Sequence, residues 1–263
     1  MKKWKIIFII VLLAAVAALA GLGVFGNKED RTVTESIRLV PVDANLIVEI
    51  RDFAGLSDRL KEEPKYWKDL CNFPAIKTLN KHISLIDSIR LSGSQTGTII
   101  ETQTIISSIH DSGKNNLGSI CLIALPENTK KETFLKDFKL LFEDTSDIRI
   151  REYDNHEIYD LKAPNGERYS FSIVNRNLVW SENSLLVEKV IRQSETKISL
   201  IENVDFQDTY RTAGEKEIAN IYINLNRIKN LLLPYFDASK INKHPAFNQY
   251  ASWITLDLSF KEK

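Results

Sequence analysis

Three stretches of this sequence predict an α+β fold with an N-terminal transmembrane helix, then antiparallel sheet with packed amphipathic helices. Twenty residues from Ile6 to Phe25 carry no charged or strongly polar side chain. Between Ile148 and Trp180, short alternating segments are separated by Asp154-Asn155, Asn165-Gly166 and Asn175-Arg176, the turn chemistry of an antiparallel meander. Finally, Phe134, Leu135, Phe138, Leu141 and Phe142, and again Leu186, Val187, Val190 and Ile191, recur at helical spacing, giving two helices with one apolar face each.

The apolar run sets the topology. At about 1.5 Å per helical residue it spans about 30 Å, the thickness of a bilayer's hydrocarbon core. Thirteen of its twenty residues are Leu, Ile, Val or Phe, and at about −0.3 to −0.6 kcal/mol each their insertion is favourable. Lys2, Lys3 and Lys5 precede it without an acid, whereas Lys28 and Arg31 beyond it are diluted by Glu29 and Asp30. The positive-inside bias therefore makes residues 1–5 a cytoplasmic tip and exports the body. The expected location is the inner (plasma) membrane, single-pass, with the C-terminal body periplasmic. Ala18-Leu19-Ala20 fits a signal peptidase site, the rival reading in which the anchor is cleaved after Ala20. The continuation of the run to Phe25 favours a retained signal-anchor.

The chain balances 35 basic against 35 acidic residues, and three of the basic ones precede the membrane, so the body is slightly acidic. Its Lys and Arg are scattered, which excludes a nucleic-acid partner. Cys71 and Cys121 are the two cysteines. One bridge is not a disulfide framework, and two buried free thiols are expected.

In chain order, residues 26–38 read as a polar tether, 39–215 as one α+β unit and 216–263 as a partial second repeat packing on the first. Leu46, Val48 and Ile50 alternate as a strand. Helices follow over Asp52 to Leu60, Pro64 to Leu70 and Pro74 to about Ile83, then a strand over Ile86 to Leu91 and a break at Ser92 to Gly97. Thr104 to His110 and Leu117 to Leu125 form a hairpin. Thr129 and Glu132 are spaced as a capping box before the first amphipathic helix. The meander is expected over Ile148–Tyr153, Glu157–Lys162, Arg168–Val174 and Leu178–Trp180. Ser181 or Asn183 caps the second amphipathic helix, and a linker to Val204 leads to a short helix ending near Ala213.

The pattern Ala44-Asn45-Leu46 through Leu56 returns as Ala219-Asn220-Ile221 through Leu231, an offset of 175 residues. Pro245-Ala246 and the strand Ile254 to Phe260 then echo Pro74-Ala75 and Ile86 to Leu91 at an offset of 171. Such self-similarity reads as one supersecondary opening used twice. The second opening either pairs back onto the first unit's sheet or belongs to a truncated form of a longer protein.

The cationic start, the membrane helix, Val40-Pro41-Val42-Asp43-Ala44, the strand-then-Ser181 step into a helix and the terminal Trp253-Ile254-Thr255-Leu256-Asp257-Leu258 together resemble a known group. It is the Bacteroidetes single-pass envelope proteins of domain of unknown function family 3352, here in a short form. The resemblance covers most of the chain and implies an envelope location. It brings no catalytic residues to carry over.

Catalytic, cofactor-binding and metal residues are all expected to be none. His82, His110, His156 and His244 form no HExxH and no metal spacing. Gly93-Ser94-Gln95-Thr96-Gly97 has Gln95 where a nucleophile elbow needs Ser and reads as a loop. His110, Asp111 and Ser112 point apart on a strand end. Glu143, Asp144 and Asp147 read as a solvated helix exit, and Tyr66, Trp67, Trp180 and Trp253 as core. The expected function is a membrane-anchored, non-enzymatic binding or scaffold module of the envelope. It would offer an edge strand or sheet face to a protein or cell-wall partner. The alternative is an envelope hydrolase with a site assembled from distant residues, His110 and nearby carboxylates first among them.

Overall fold

Among the described residues nine antiparallel strands form one sheet, in the order β4-β5-β6-β7-β3-β2-β1-β8-β9, with helices on both faces of it. The computed structural model describes residues 33–62, 64–113, 116–127, 129–141, 148–162, 166–196, 198–232 and 251–259. The segment 6–25, the tip 1–5, Pro245-Ala246 and Glu143, Asp144 and Asp147 lie outside the described residues, as does the side chain of Tyr66. Among the described residues no helix is long and apolar enough to cross a membrane.

The chain enters through α1 (Glu35–Leu39) and β1 (Leu46–Ile50), then four helices: α2 (Phe53–Glu62), α3 (Pro64–Leu70), α4 (Pro74–Leu91) and α5 (Gln95–Thr102). The hairpin β2 (Ile105–Asp111) and β3 (Leu117–Ala124) leads to α6 (Lys131–Leu141). The meander β4 (Arg149–Tyr153), β5 (His156–Lys162), β6 (Arg168–Val174) and β7 (Asn177–Ser181) follows, then α7 (Ser184–Glu195), a 3-10 turn at Leu200–Glu202 and α8 (Val204–Thr212). β8 (Ala219–Asn224), α9 (Ile228–Leu232) and β9 (Trp253–Leu258) complete the unit.

The meander forms because its turns supply the backbone it needs. Asp154 and Asn155 (φ 49° and 60°) and Asn175 and Arg176 (φ 44° and 59°) all sit in the left-handed region, the geometry of two-residue turns that match strand twist. Strand alternation then sorts side chains between two cores. Ile47, Ile106, Leu122 and Val179 face α1, α7 and α8, while Ile50, Ile105, Ile123 and Trp180 face α2, α4, α5 and α6.

Five expectations are corrected. Residues 86–91 are the last turns of α4 rather than a strand: Ala75, Leu79, His82, Ile86 and Ile89 are among its buried residues, and three- and four-residue steps are a helical stripe. The stretch from Ser92 to Gly97 is no long break. Ser94 accepts from the Gly97 amide at 3.1 Å and starts α5. The tether is folded at its end, since Ser36 and Ile37 of α1 are buried. Thr129 forms no capping box; its hydroxyl donates to the Pro126 carbonyl at 2.8 Å, and α6 starts at Lys131. Of the thiols, Cys121 is buried and Cys71 only half-buried, and both are free.

β1 and β8 pair directly, with Leu46 opposite Ile223, Ile47 opposite Tyr222 and Val48 opposite Ile221. At the 175-residue offset Ile47 corresponds to Tyr222, and Leu46 and Val48 to Ile221 and Ile223. The pairing therefore has a local two-fold axis at Ile47 and Tyr222. The strand equivalent to β9 is β2, not residues 86–91: Leu46 faces Ile109 as its counterpart Ile221 faces Leu256. A similar side-chain tie crosses each pair, shifted by one residue between them. Asn45 donates to Asp111 at 2.9 Å and Asn220 to Asp257 at 2.6 Å, each reaching the neighbouring strand.

One carboxylate locks this joint. Glu49 on β1 is 1 % exposed. It accepts from Tyr210 of α8 at 3.2 Å, Tyr222 of β8 at 3.1 Å and Arg51 at 3.2 Å. A carboxylate taken out of water is tolerable only with such donors in place. Tyr210→Phe and Tyr222→Phe are each expected to lower unfolding stability by about 1–3 kcal/mol, because each leaves a buried acceptor short of a donor. Urea denaturation of both single variants and the double checks this, with a double-variant loss that departs from the sum as the two share one acceptor.

Candidate functional site

Polar side chains gather at three places, one on each face of the sheet and one at its end. On the α7 face, Ser108 and His110 lie two residues apart on β2 and so point the same way. The Ser108 hydroxyl is 2.8 Å from His110 Nε2, and His110 Nδ1 is 3.3 Å from Asp43 Oδ1, in the loop before β1. Lys189 of α7 closes the chain on the other Asp43 oxygen. Burial pushes the His110 imidazole down, against the opposing pull of Asp43, so it is the neutral ring that donates to the carboxylate. Burial alone would raise Asp43; hydrogen bonds from His110 and Lys189 hold it well below the usual carboxylate range.

The order Ser–His–Asp is that of a nucleophile, a base and an orienting acid. Access is what it lacks. Ser108 and His110 are both 0 % exposed, so no substrate carbonyl can approach the hydroxyl. Asp111, next to His110, serves elsewhere: it accepts from Asn45, Arg227 and Asn230, tying the end of β2 to the α9 region. Ser112 accepts from Asn183.

On the other face, Glu182 Oε2 lies 3.0 Å from both His82 Nε2 and the Ser119 hydroxyl, and Ser119 is also 3.0 Å from His82 Nε2. All three meet at one ring nitrogen, so the acid and the hydroxyl do not sit at opposite ends of the imidazole as a relay requires. Burial raises the Glu182 carboxyl, but the His82 charge and hydrogen bond bring it below its ordinary value. Trp180 packs against His82 with ring centroids 5.9 Å apart.

The third place is open. Where β5 ends, β6 begins and β7 passes into α7, a cleft of about 650 Å³ is lined by Arg149, Asp160, Lys162, Arg168, Glu182 and the first residues of α7. Asn183 caps that helix, accepting from the Leu185 amide at 3.0 Å. Asp160 is committed to Arg151 at 3.0 Å and to Ser170. Arg149, Lys162 and Arg168 are exposed and have no acidic partner among the described residues. Free cations beside a helix N-terminus attract a carboxylate or phosphate.

The sequence singles out His110 with unspecified nearby carboxylates and sets Asp111 aside as pointing apart; the acid the structure brings to His110 is Asp43. The i, i+2 spacing of Ser108 and His110 was a readable signal, whereas Asp43 arrives only through the β1–β2 pairing. Trp180 and Trp253 are buried as expected, and Trp67 is half-buried, donating to Asn80 at 2.7 Å. Among the described residues no three His, Cys, Asp or Glu side chains converge to hold a metal.

Residues 103–257 match the family described as Protein of unknown function (DUF3352), a span from the start of β2 into β9. No relative was found among curated proteins. Among solved structures, "Structure of crystal form III of TP0453" is similar at 10% identity and a TM-score of 0.35, over 78% of this chain and 70% of that one. "Structure of crystal form I of TP0453" is similar at 10% identity and a TM-score of 0.32, over 83% and 70%.

The buried His110 gives a pH dependence. Its folded pKa lies below the unfolded value near 6.5, so the unfolded state binds more protons and stability falls as pH drops below about 6.5. Asp43 is lowered on folding, so its contribution is lost separately, below about pH 4. Urea midpoints measured from about pH 7.5 to 5 should decline in the wild type, and His110→Asn should flatten that decline.

Proposed function

We propose, since the chain belongs to the family described as Protein of unknown function (DUF3352), that it is a membrane-tethered, non-catalytic binding module of the cell envelope. Its cleft takes an acidic group of an envelope protein or cell-wall partner. The apolar segment 6–25 and its lysine-rich lead support the tether and a body outside the cytosol. The observation that carries the binding reading is the open cleft, where Arg149, Lys162 and Arg168 stand exposed together. A partner carboxylate or phosphate supplies the charge they lack, and the positive end of the α7 dipole favours it.

A hydrolase centred on His110 is the second reading, favoured by the Ser108–His110–Asp43 distances. The complete burial of Ser108 and His110 sets it behind the binding reading.

Two measurements separate the readings. The full-length chain, recovered from crosslinked envelopes, should carry a partner that the Arg149→Glu, Lys162→Glu, Arg168→Glu triple variant loses, with recovery falling as salt rises; equal recovery from both chains contradicts the cleft. Carbonate washing should leave the protein in the membrane fraction. A serine-directed fluorophosphonate should leave Ser108 unlabelled; labelling that Ser108→Ala abolishes would favour the hydrolase.

A further inference from the structure

The two outer strands of the sheet are built differently. β4 carries Arg149, Arg151 and Glu152 in five residues. Arg151 is drawn back to Asp160 at 3.0 Å and Glu188 at 2.7 Å. Charge of this kind blunts an edge against strand addition. β9, Trp253-Ile254-Thr255-Leu256-Asp257-Leu258, carries one charge. Asn220 at 2.6 Å and the Gly214 amide at 3.0 Å already hold it. The rest of β9 is aromatic, β-branched or Leu, composition suited to pairing, and it contains no Pro.

The register fixes which backbone groups β9 turns away from β8. Leu225 donates to the Ser252 carbonyl at 2.8 Å, so in the antiparallel ladder Ile254, Leu256 and Leu258 bond toward β8. The amides and carbonyls of Trp253, Thr255 and Asp257 point away from it. Among the described residues no strand pairs there. In the equivalent strand β2, that same edge is filled by β3, with Ile106 opposite Leu122 and Ser108 opposite Ile120.

We infer that the edge of β9 turned away from β8, unpaired among the described residues, is a homodimer interface, in which β9 of a second copy pairs antiparallel about a two-fold axis at Thr255. In this register Thr255 faces Thr255, Ile254 faces Leu256 and Trp253 faces Asp257. Thr pairs and apolar pairs are favourable across strands, and no like charges meet. β4 has no such register. Centred on Ile150 it sets Arg149 against Arg151, centred on Arg151 it sets that residue against itself, and centred on Glu152 it opposes two carboxylates. The two-fold joint would extend one the fold already contains, the β1–β8 pairing about Ile47 and Tyr222. A single strand pair buries little surface, so the dimer is a weak one that confinement to a membrane favours.

The test uses the full-length chain in detergent micelles. Light scattering at rising concentration should show a monomer–dimer equilibrium. Leu256→Lys should raise the dissociation constant by roughly tenfold or more while circular dichroism and melting stay unchanged. Should that variant misfold, a Thr255→Cys chain with Cys71→Ser supplies the second readout, since facing residues in such a pair have Cα atoms about 5.5 Å apart, within disulfide reach. Mild oxidation should then give a covalent dimer, and Ile150→Cys on β4 should give none. A wild-type monomer at all concentrations, a dimer indifferent to Leu256→Lys, or a crosslink at residue 255 to a different protein in intact envelopes would each overturn the inference.

Discussion

The Glu49 carboxylate is the constraint on which the sheet depends. It sits on β1, dry, and its donors come from β8, from α8 and from Arg51, just past the end of its own strand. Removing the ionic partner of a buried charge, here Arg51, costs about 3–5 kcal/mol, a large share of a domain's net stability of about 5–15 kcal/mol. A one-residue slip of β8 against β1 would turn the Tyr222 side chain to the other face and leave Glu49 without that hydroxyl. The charge therefore specifies register as much as it stabilises. Around it Phe206, Tyr210, Tyr222 and Trp253 form one aromatic cluster with centroids 4.8 to 5.9 Å apart, joining α8, β8 and β9 through ring contacts.

That joint explains how strands 169 residues apart in sequence, from the end of β1 to the start of β8, share one sheet. Pairing across so long a loop costs closure entropy, which grows only slowly with length. The ladder and the Glu49 hydrogen bonds formed across the joint offset it. The site follows from the same architecture. The meander β4–β7 is carried on the far side of β3, and the ends of its strands frame the cleft together with the start of α7.

Much of this was legible in the sequence, for local reasons. The meander strands were, because two-residue turns with Asn and Asp announce themselves, and so was α7, because its stripe has a period of 3.6. The strand expected at 86–91 failed because Ile86 and Ile89 belong to a stripe begun at Ala75, and a six-residue window cannot distinguish three-residue steps from alternation. The Thr129 cap failed because a hydroxyl has more than one backbone group in reach. The repeat was legible in β1 and β8, yet its second strand was assigned to the wrong place, since four helices separate β1 from β2 and only α9 is described between β8 and β9. The cleft was not legible at all. Arg149, Lys162 and Arg168 are three unremarkable surface cations until the register of three strands brings them to one end.

The claim beneath all of this is that β8 and β9 belong to the same cooperative sheet as β1 to β7. Native-state hydrogen exchange tests it most directly, by comparing the amides of Ile47 and Glu49 with those of Asn220 and Tyr222, which bond across the joint. Exchange of all four with one common opening free energy, equal to that of global unfolding, is the expected result. Exchange of Asn220 and Tyr222 through a separate, lower-energy opening while Ile106 and Leu122 remain protected would show the second opening to be an independent appendage and contradict the account.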